Sequence, residues 1–171
     1  MSELALTGEE LLAWNDTTAH KWRDFVNAHP ALLQVPCDIR DATTAGQLLQ
    51  HIVAVELRYA QRLAGLTETD YSAVPYGSGD EILATHDQAV ALLRGVMADP
   101  DFDWSKELEY ATITAGRLRS RRKTIFVHAM MHSIRHYAQL ATLVRQHGIA
   151  PGWPMDYLFM NLTAVTPSSK T

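Results

Sequence analysis

The stretch 126-FVHAMMHSIRHYAQLATLVRQH-147 decides the fold of this chain. Apolar residues recur in it at alternating spacings of three and four: Val127, Met130, Ile134, Tyr137, Ala141 and Val144. A second stripe, which includes Ala129, His132, His136 and Leu140, runs beside the first. Helices that are apolar over so much of their circumference are usually buried. The stretch therefore predicts a long helix inside the protein.

Three histidines recur on this helix every fourth residue: His128, His132 and His136. Residues four apart stand on one helical face, one turn from each other, so two such imidazoles can reach a single metal ion. No Glu follows the first histidine, which excludes the zinc-protease motif. Buried histidines need partners, and a shared cation would supply one to each.

The composition describes an ordinary globular protein of 171 residues, with 47% apolar and 20% charged residues. The net charge of −4 argues against a general nucleic-acid binder. Cys37 is the single cysteine, so no intrachain disulfide can form and a reducing compartment is expected. The chain shows neither a signal-peptide pattern nor an apolar run of about 20 residues. We expect one cytoplasmic domain over residues 1–171, without membrane or nucleic-acid partners.

Three further helices are predicted by capping signals ahead of apolar periodicity. The first spans residues 8–28, the second runs from residue 45 to about Leu66, and the third ends before Asp99. The signals are Thr7 with Glu10, Thr44 with Gln47, and Ser78 with Glu81. The long helix is the fourth and ends at Gly148.

The connections between these helices differ in character. Residues 30–43 carry two prolines and no periodicity, which predicts a long crossover over the end of a bundle, and residues 67–79 read as a loop. Residues 101–119 lose the helical period and include a β-rich run, which indicates a short hairpin. The tail around residues 149–162 is expected to pack back as a short helix. The fold class is thus all-α, a four-helix bundle with long crossover connections and a short β-hairpin between helices 3 and 4.

His51 lies within the apolar stripe of the second helix. Together with His132 and His136 it forms a candidate metal site on two facing helices, because three neutral imidazoles bind zinc-like ions and leave a coordination position open. Spacing alone leaves an alternative open, in which the three are hydrogen-bonded core histidines.

The chain resembles the DinB/YfiT-like family of metal-binding four-helix bundles. The matching motifs are QHIVAVELRYAQRL around His51, HSIRHYAQL around His132 and His136, and the tail segment PGWPMDYL. Tyr137-Ala138 stands where many members have Arg-Gly, which touches no ligand position. The resemblance implies that these three histidines bind a divalent metal, usually zinc or nickel, and that the protein is a homodimer. Some relatives are transferases or isomerases that use bacillithiol, mycothiol or a similar low-molecular-weight thiol.

Several other residues stand out without belonging to the proposed set of ligands. His128 is expected beside the ligands or at the site entrance, and His86 as a hydrogen-bonded core histidine. Cys37 is interpreted as a small, partly buried side chain, and Glu56 and Arg58 as surface charges. The basic run is either a solvated hairpin edge or a guide for an anionic substrate; it comprises Arg117, Arg119, Arg121, Arg122 and Lys123.

Two functions remain open from the sequence. The first is a metal-dependent transferase or isomerase that activates a thiol or water for reaction with a small-molecule substrate. The second is a non-catalytic metal- or small-molecule-binding bundle. An inward Tyr or carboxylate near the histidines, with Tyr59 as the candidate, would favour the first. A fourth ligand such as His128 or His86 would favour the second, because structural metal sites lack an open position.

Overall fold

The computed structural model describes residues 5–112 and 116–162. Over these ranges the chain forms four α-helices with an antiparallel hairpin between the third and the fourth. The elements are α1 (Gly8–Ala28), α2 (Ala45–Leu63), α3 (Gly79–Ala98), β1 (Glu107–Thr112), β2 (Gly116–Arg121) and α4 (Arg122–Gln146). The predicted four-helix bundle with a short hairpin is confirmed.

The helix termini follow the capping signals with two differences at α2. The Thr44 hydroxyl accepts the Gln47 backbone N–H at 3.2 Å, which is one half of a capping box. The other half, a bond from the Thr44 backbone N–H to the Gln47 side chain, is missing, because that side chain accepts from the backbone N–H of Thr43 instead. The helix also ends at Leu63 rather than near Leu66. Gly65 adopts a φ of 73°, and the Leu66 N–H returns to the Gln61 carbonyl at 2.8 Å. This Schellman pattern stops the helix early.

The first crossover has more structure than its composition indicates. Residues Pro30–Gln34 form a 3₁₀ helix that buries Leu32 and Leu33. The Ala45 N–H donates to the Val35 carbonyl at 2.8 Å and fastens the segment to the start of α2. The crossover therefore contributes to the core at this end of the bundle.

Helix α2 is the central element and packs against both α3 and α4, while α1 packs against α3 and α4. Buried apolar side chains form two clusters. One surrounds Trp22, which stacks on Tyr137 with ring centroids 6.2 Å apart. The other contains Leu12, Leu93 and Phe126. No described core residue belongs to both clusters.

A layer of buried polar side chains lies between the two clusters. Each helix contributes to this layer, which includes Asn15, Glu56, His86 and Ser133; Thr18 and Thr85 are also buried, on α1 and α3. The prediction that Glu56 is a surface charge is wrong, because its exposure is 1%. Helix α2 is buried both towards α3 and towards α4. Its sequence therefore does not show which of its polar residues point into the core.

The hairpin and the tail close the fold. On the hairpin, Arg117 and Arg119 pair with Glu109, while Tyr110 lies beneath the Arg62 guanidinium at 4.1 Å. The predicted return of the tail is confirmed: the Trp14 indole donates to the Met155 carbonyl at 3.0 Å, ahead of a 3₁₀ helix over Tyr157–Met160. Within the described ranges, no helix is long and apolar enough to cross a membrane.

Candidate metal centre

The structure brings His51, His132 and His136 together, as the sequence predicts. The nitrogen atoms available for coordination all lie within 4.8 Å of one another. The Nε2 atoms of His51 and His132 are 3.3 Å apart, and the ring centroids of His132 and His136 are separated by 4.4 Å. His132 and His136 are buried, whereas His51 is half-buried.

The register of α2 against α4 sets this convergence. His51 contacts the rings of His132 and His136, and two turns further along α2 Tyr59 contacts the ring of His128 at 5.4 Å. The two helices therefore run antiparallel along the site. His132 and His136, four residues apart on α4, therefore both face His51 on α2, and the three rings form a cluster.

Burial and neighbouring positive charge keep the three imidazoles neutral. Burial, followed by the His136 and Arg40 charges, lowers the pKa of His51 to about 4. Burial and the Arg135 guanidinium lower the pKa of His136 to about 4. Burial, with the other two histidines, lowers the pKa of His132 to about 2. Neutral imidazoles are the form that binds a metal ion.

The arrangement fits a divalent ion. Two nitrogens bound at about 2.1 Å to one tetrahedral ion lie about 3.4 Å apart, close to the observed spacing of His51 and His132. The buried Nδ1 atoms of His132 and His136 have no hydrogen-bond partner. The set of three imidazoles suits zinc, nickel or copper better than magnesium or calcium. These residues could therefore hold a transition-metal ion.

The surroundings of the site include an aromatic residue that the sequence analysis does not identify. Tyr59 contacts His128 and Arg62, whereas Tyr71 stacks on His51 with ring centroids 6.1 Å apart and planes 10° apart. Tyr71 lies in the connection between α2 and α3, where no periodicity marks it. His128 is exposed, with its ring 5.7 Å from His132, which agrees with its expected place beside the ligands.

Two arginines outside the predicted basic run supply the positive charge at the site. Arg135 donates to the Nε2 atom of His136 at 3.1 Å. Arg40, in the crossover, acts on the pKa of both His51 and His136 and adopts a φ of 58°. The adjacency of Arg135 to His136 is visible in the sequence, but the position of Arg40 has no local signal.

The hairpin arginines find partners of their own. Arg117 and Arg119 pair with Glu109, and Arg122 lies over the Phe102 ring at 4.2 Å. Glu109 is itself exposed, so the pairs lie on the outside of the hairpin. These contacts agree with the interpretation of the run as a solvated hairpin edge.

His86 and Cys37 do not join the three histidines. His86 is fully buried and bonds Glu56 through Nδ1 at 2.7 Å and Asp16 through Nε2 at 3.1 Å, which confirms a hydrogen-bonded core histidine. Cys37 is half-buried, and its sulfur accepts the Ile39 N–H at 3.4 Å. Within the part of the chain that the structure describes, no fourth His, Cys, Asp or Glu joins the group.

Fold and site together define a four-helix bundle with a histidine-rich candidate metal site between its second and fourth helices. The chain matches the model of the DinB family over residues 1–168. It therefore belongs to the DinB family. No curated protein matches the chain by sequence.

The lowered pKa values predict how the metal-free protein responds to acid. An unfolded histidine takes up a proton near pH 6.5, whereas the folded triad stays neutral to about pH 4. The unfolded state therefore binds more protons between these values, and the free energy of unfolding falls as the pH drops from 6.5 to 5. Each neutral histidine contributes at most about 1.4 kcal/mol per pH unit to this slope.

Urea unfolding of chelator-treated protein at several pH values measures the slope. We expect His51→Gln to reduce it, because one proton-excluding group is removed. Leu158→Asn, at a residue 70% exposed, is the matched surface control and keeps the wild-type slope. Parallel pH curves for the wild type and His51→Gln would contradict the neutral state of the triad.

Proposed function

We propose that the protein is a divalent-metal-dependent transferase or isomerase that acts on a small molecule together with a low-molecular-weight thiol. His51, His132 and His136 are the proposed ligands, and zinc or nickel is the proposed ion. The observation that carries the proposal is the convergence of three neutral imidazoles, with no fourth protein ligand among the described residues. Such a ligand set is typical of reactive metal sites rather than structural ones.

The ligand set determines the chemistry available. Three imidazoles bring no negative charge, so a bound divalent ion would lower the pKa of a thiol or water that occupies its open position. The proposed thiol fits the reducing compartment expected from a single cysteine. Membership of the DinB family supports the binding of a metal ion at this site but does not identify the substrate.

Arg135 and Arg40 indicate what kind of thiol the site takes. The Arg135 guanidinium donates to the Nε2 lone pair of His136, which is a candidate ligand lone pair for the metal. When that lone pair binds an ion, the guanidinium is released and becomes available to bind an anion. Arg40 adds a second positive charge near the triad. A thiol that carries carboxylates would meet both, because guanidinium groups bind carboxylates through paired hydrogen bonds.

A non-catalytic metal-binding bundle is the alternative function. It would be favoured by a closed coordination sphere, with His128 or His86 as the fourth ligand. His86 instead bonds Glu56 and Asp16, and His128 is exposed. The geometry therefore supports the reactive site better.

The first prediction is that the purified protein binds one divalent ion at the triad. His132→Ala removes one of three ligands and should lower zinc or nickel affinity at this site by at least about 100-fold. Elemental analysis after dialysis, with circular dichroism to establish folding, provides the measurement. His29→Ala is the control, since His29 is exposed and on α1's terminus. A folded His132→Ala protein that holds as many ions per chain as the wild type would refute the ligand assignment.

The second prediction concerns the thiol. Cobalt-substituted protein titrated with a carboxylate-bearing thiol at neutral pH should develop a sulfur-to-cobalt charge-transfer band. Arg135→Gln should raise the thiol concentration at half-saturation about tenfold, since a charge-assisted hydrogen bond contributes about 1.5–3 kcal/mol, while cobalt stays bound. Arg119→Gln on the hairpin is the matched control. Absence of the band with every thiol, in protein shown to hold cobalt, would favour the non-catalytic alternative.

The proposed homodimer rests on an apolar face of α4 that faces away from the core. Val127 is 37% and Met131 49% exposed, and Ile134 and Ala138 continue the same stripe at three- and four-residue spacing. Symmetric dimers bury the same patch on both subunits. We therefore propose a second copy of this chain as its partner.

Light scattering at micromolar concentration should give the mass of a dimer. Met131→Asp should shift the equilibrium to the monomer, because it places a charge in the shared apolar patch. Leu158→Asp, at a residue that is more exposed than Met131 and lies outside α4, should leave the dimer intact. A monomeric mass for the wild-type protein would exclude the proposal.

A further inference from the structure

A second group of metal-ligand side chains lies on the α1–α3 side of the bundle. Asp16 and His20 stand one helical turn apart on α1, and His86 faces them from α3. One ligand atom from each lies within 4.8 Å of the others. Neither the family resemblance nor the proposed reaction involves these residues.

Hydrogen bonds to neighbouring side chains fix the orientation of the candidate ligand His86. The Nδ1 atom of His86 is held by the Glu56 carboxylate at 2.7 Å, which directs its Nε2 atom towards Asp16. A carboxylate behind the non-coordinating nitrogen is the usual support of a metal-binding histidine. Asn15 donates to the other Glu56 oxygen at 2.7 Å, so this support is itself fixed.

The outer ligands are also positioned. Arg94 binds one Asp16 oxygen at 2.8 Å, and the other oxygen lies 3.2 Å from the Nδ1 atom of His20. The same Nδ1 atom donates to the Asp16 backbone carbonyl at 2.8 Å, a hydrogen bond that an ion bound to this nitrogen would replace. The His20 side chain is 52% exposed, whereas His86 is completely buried. An ion can therefore approach from solvent past His20 and reach a buried, fixed imidazole.

We propose that Asp16, His20 and His86 form a second divalent-metal site, which takes a transition-metal ion such as zinc through one carboxylate and two imidazoles. Two imidazoles with one carboxylate match the ligand preference of zinc, nickel and copper rather than that of magnesium or calcium. Water molecules complete the coordination on the exposed side.

Metal binding at this site requires the loss of a proton. Burial acts to lower the pKa of His86, but Glu56 and Asp16 outweigh it and raise the pKa to about 9. The His20 ring lies 6.2 Å from the His86 ring, and Arg94 binds the same Asp16 carboxylate. An incoming ion displaces the Nε2 proton to solvent, while the Nδ1 proton stays on the bond to Glu56.

This proton release separates the two sites. Among the described residues no carboxylate joins the triad, so its imidazoles are not held protonated in the way that His86 is. At the second site both ring nitrogens of His86 lie within hydrogen-bond distance of a carboxylate oxygen, so both carry protons, and the proton on Nε2 must leave when an ion binds. Affinity should therefore rise with pH.

Zinc titration by calorimetry, in two buffers of different ionisation enthalpy, tests the proposal. Wild-type protein should bind two ions per chain, one of them with release of about one proton. His20→Ala, at an exposed side chain, should lose the proton-releasing ion and keep the other. His132→Ala should show the reverse, and His29→Ala should bind both.

Two outcomes would overturn the second site. One is His20→Ala protein that still binds an ion with proton release. The other is wild-type protein that binds a single ion, which His132→Ala abolishes. Failure of the triad would look different, because His132→Ala would then leave zinc binding unchanged while His20→Ala removed it.

Discussion

The hydrogen bond between Glu56 and His86, 2.7 Å long at the centre of the bundle, is the interaction on which the structure depends. Both side chains are almost completely buried, and a buried charge that loses its partner destabilises a protein by about 3–5 kcal/mol. The partners lie on α2 and α3, and Asn15 on α1 donates to the same carboxylate. The pair thus constrains the relative heights of three helices, between the two apolar clusters.

The bundle contains two kinds of histidine environment, and the charge of the neighbours distinguishes them. His86 lies between two carboxylates and is held as a cation. His51 and His136 are partly or fully buried among other imidazoles and arginines, which keeps them neutral. Spacing of histidines in a helix cannot reveal this difference, because the deciding charges come from other elements.

The helices and the triad could be predicted because their signals are local. Capping residues and apolar periodicity define α1 to α4. The four-residue spacing of His132 and His136 places both side chains on one face of α4, as expected for a helix. Glu56 was misassigned because α2 is buried on two sides and its partner is 30 residues away. Tyr71 and Arg40 were missed for another reason: they lie in connections, where position depends on the path of the chain rather than on a repeating pattern.

The backbone of Arg40 carries a further consequence. Its φ of 58° lies in the left-handed region, where a residue with a side chain is roughly 1 kcal/mol or more less stable than in its preferred conformation. Glycine would relieve that strain, but it would also remove a charge that acts on His51 and His136. Position 40 is thus subject to two opposing requirements. A more stable loop favours glycine there, whereas a positively charged site favours arginine.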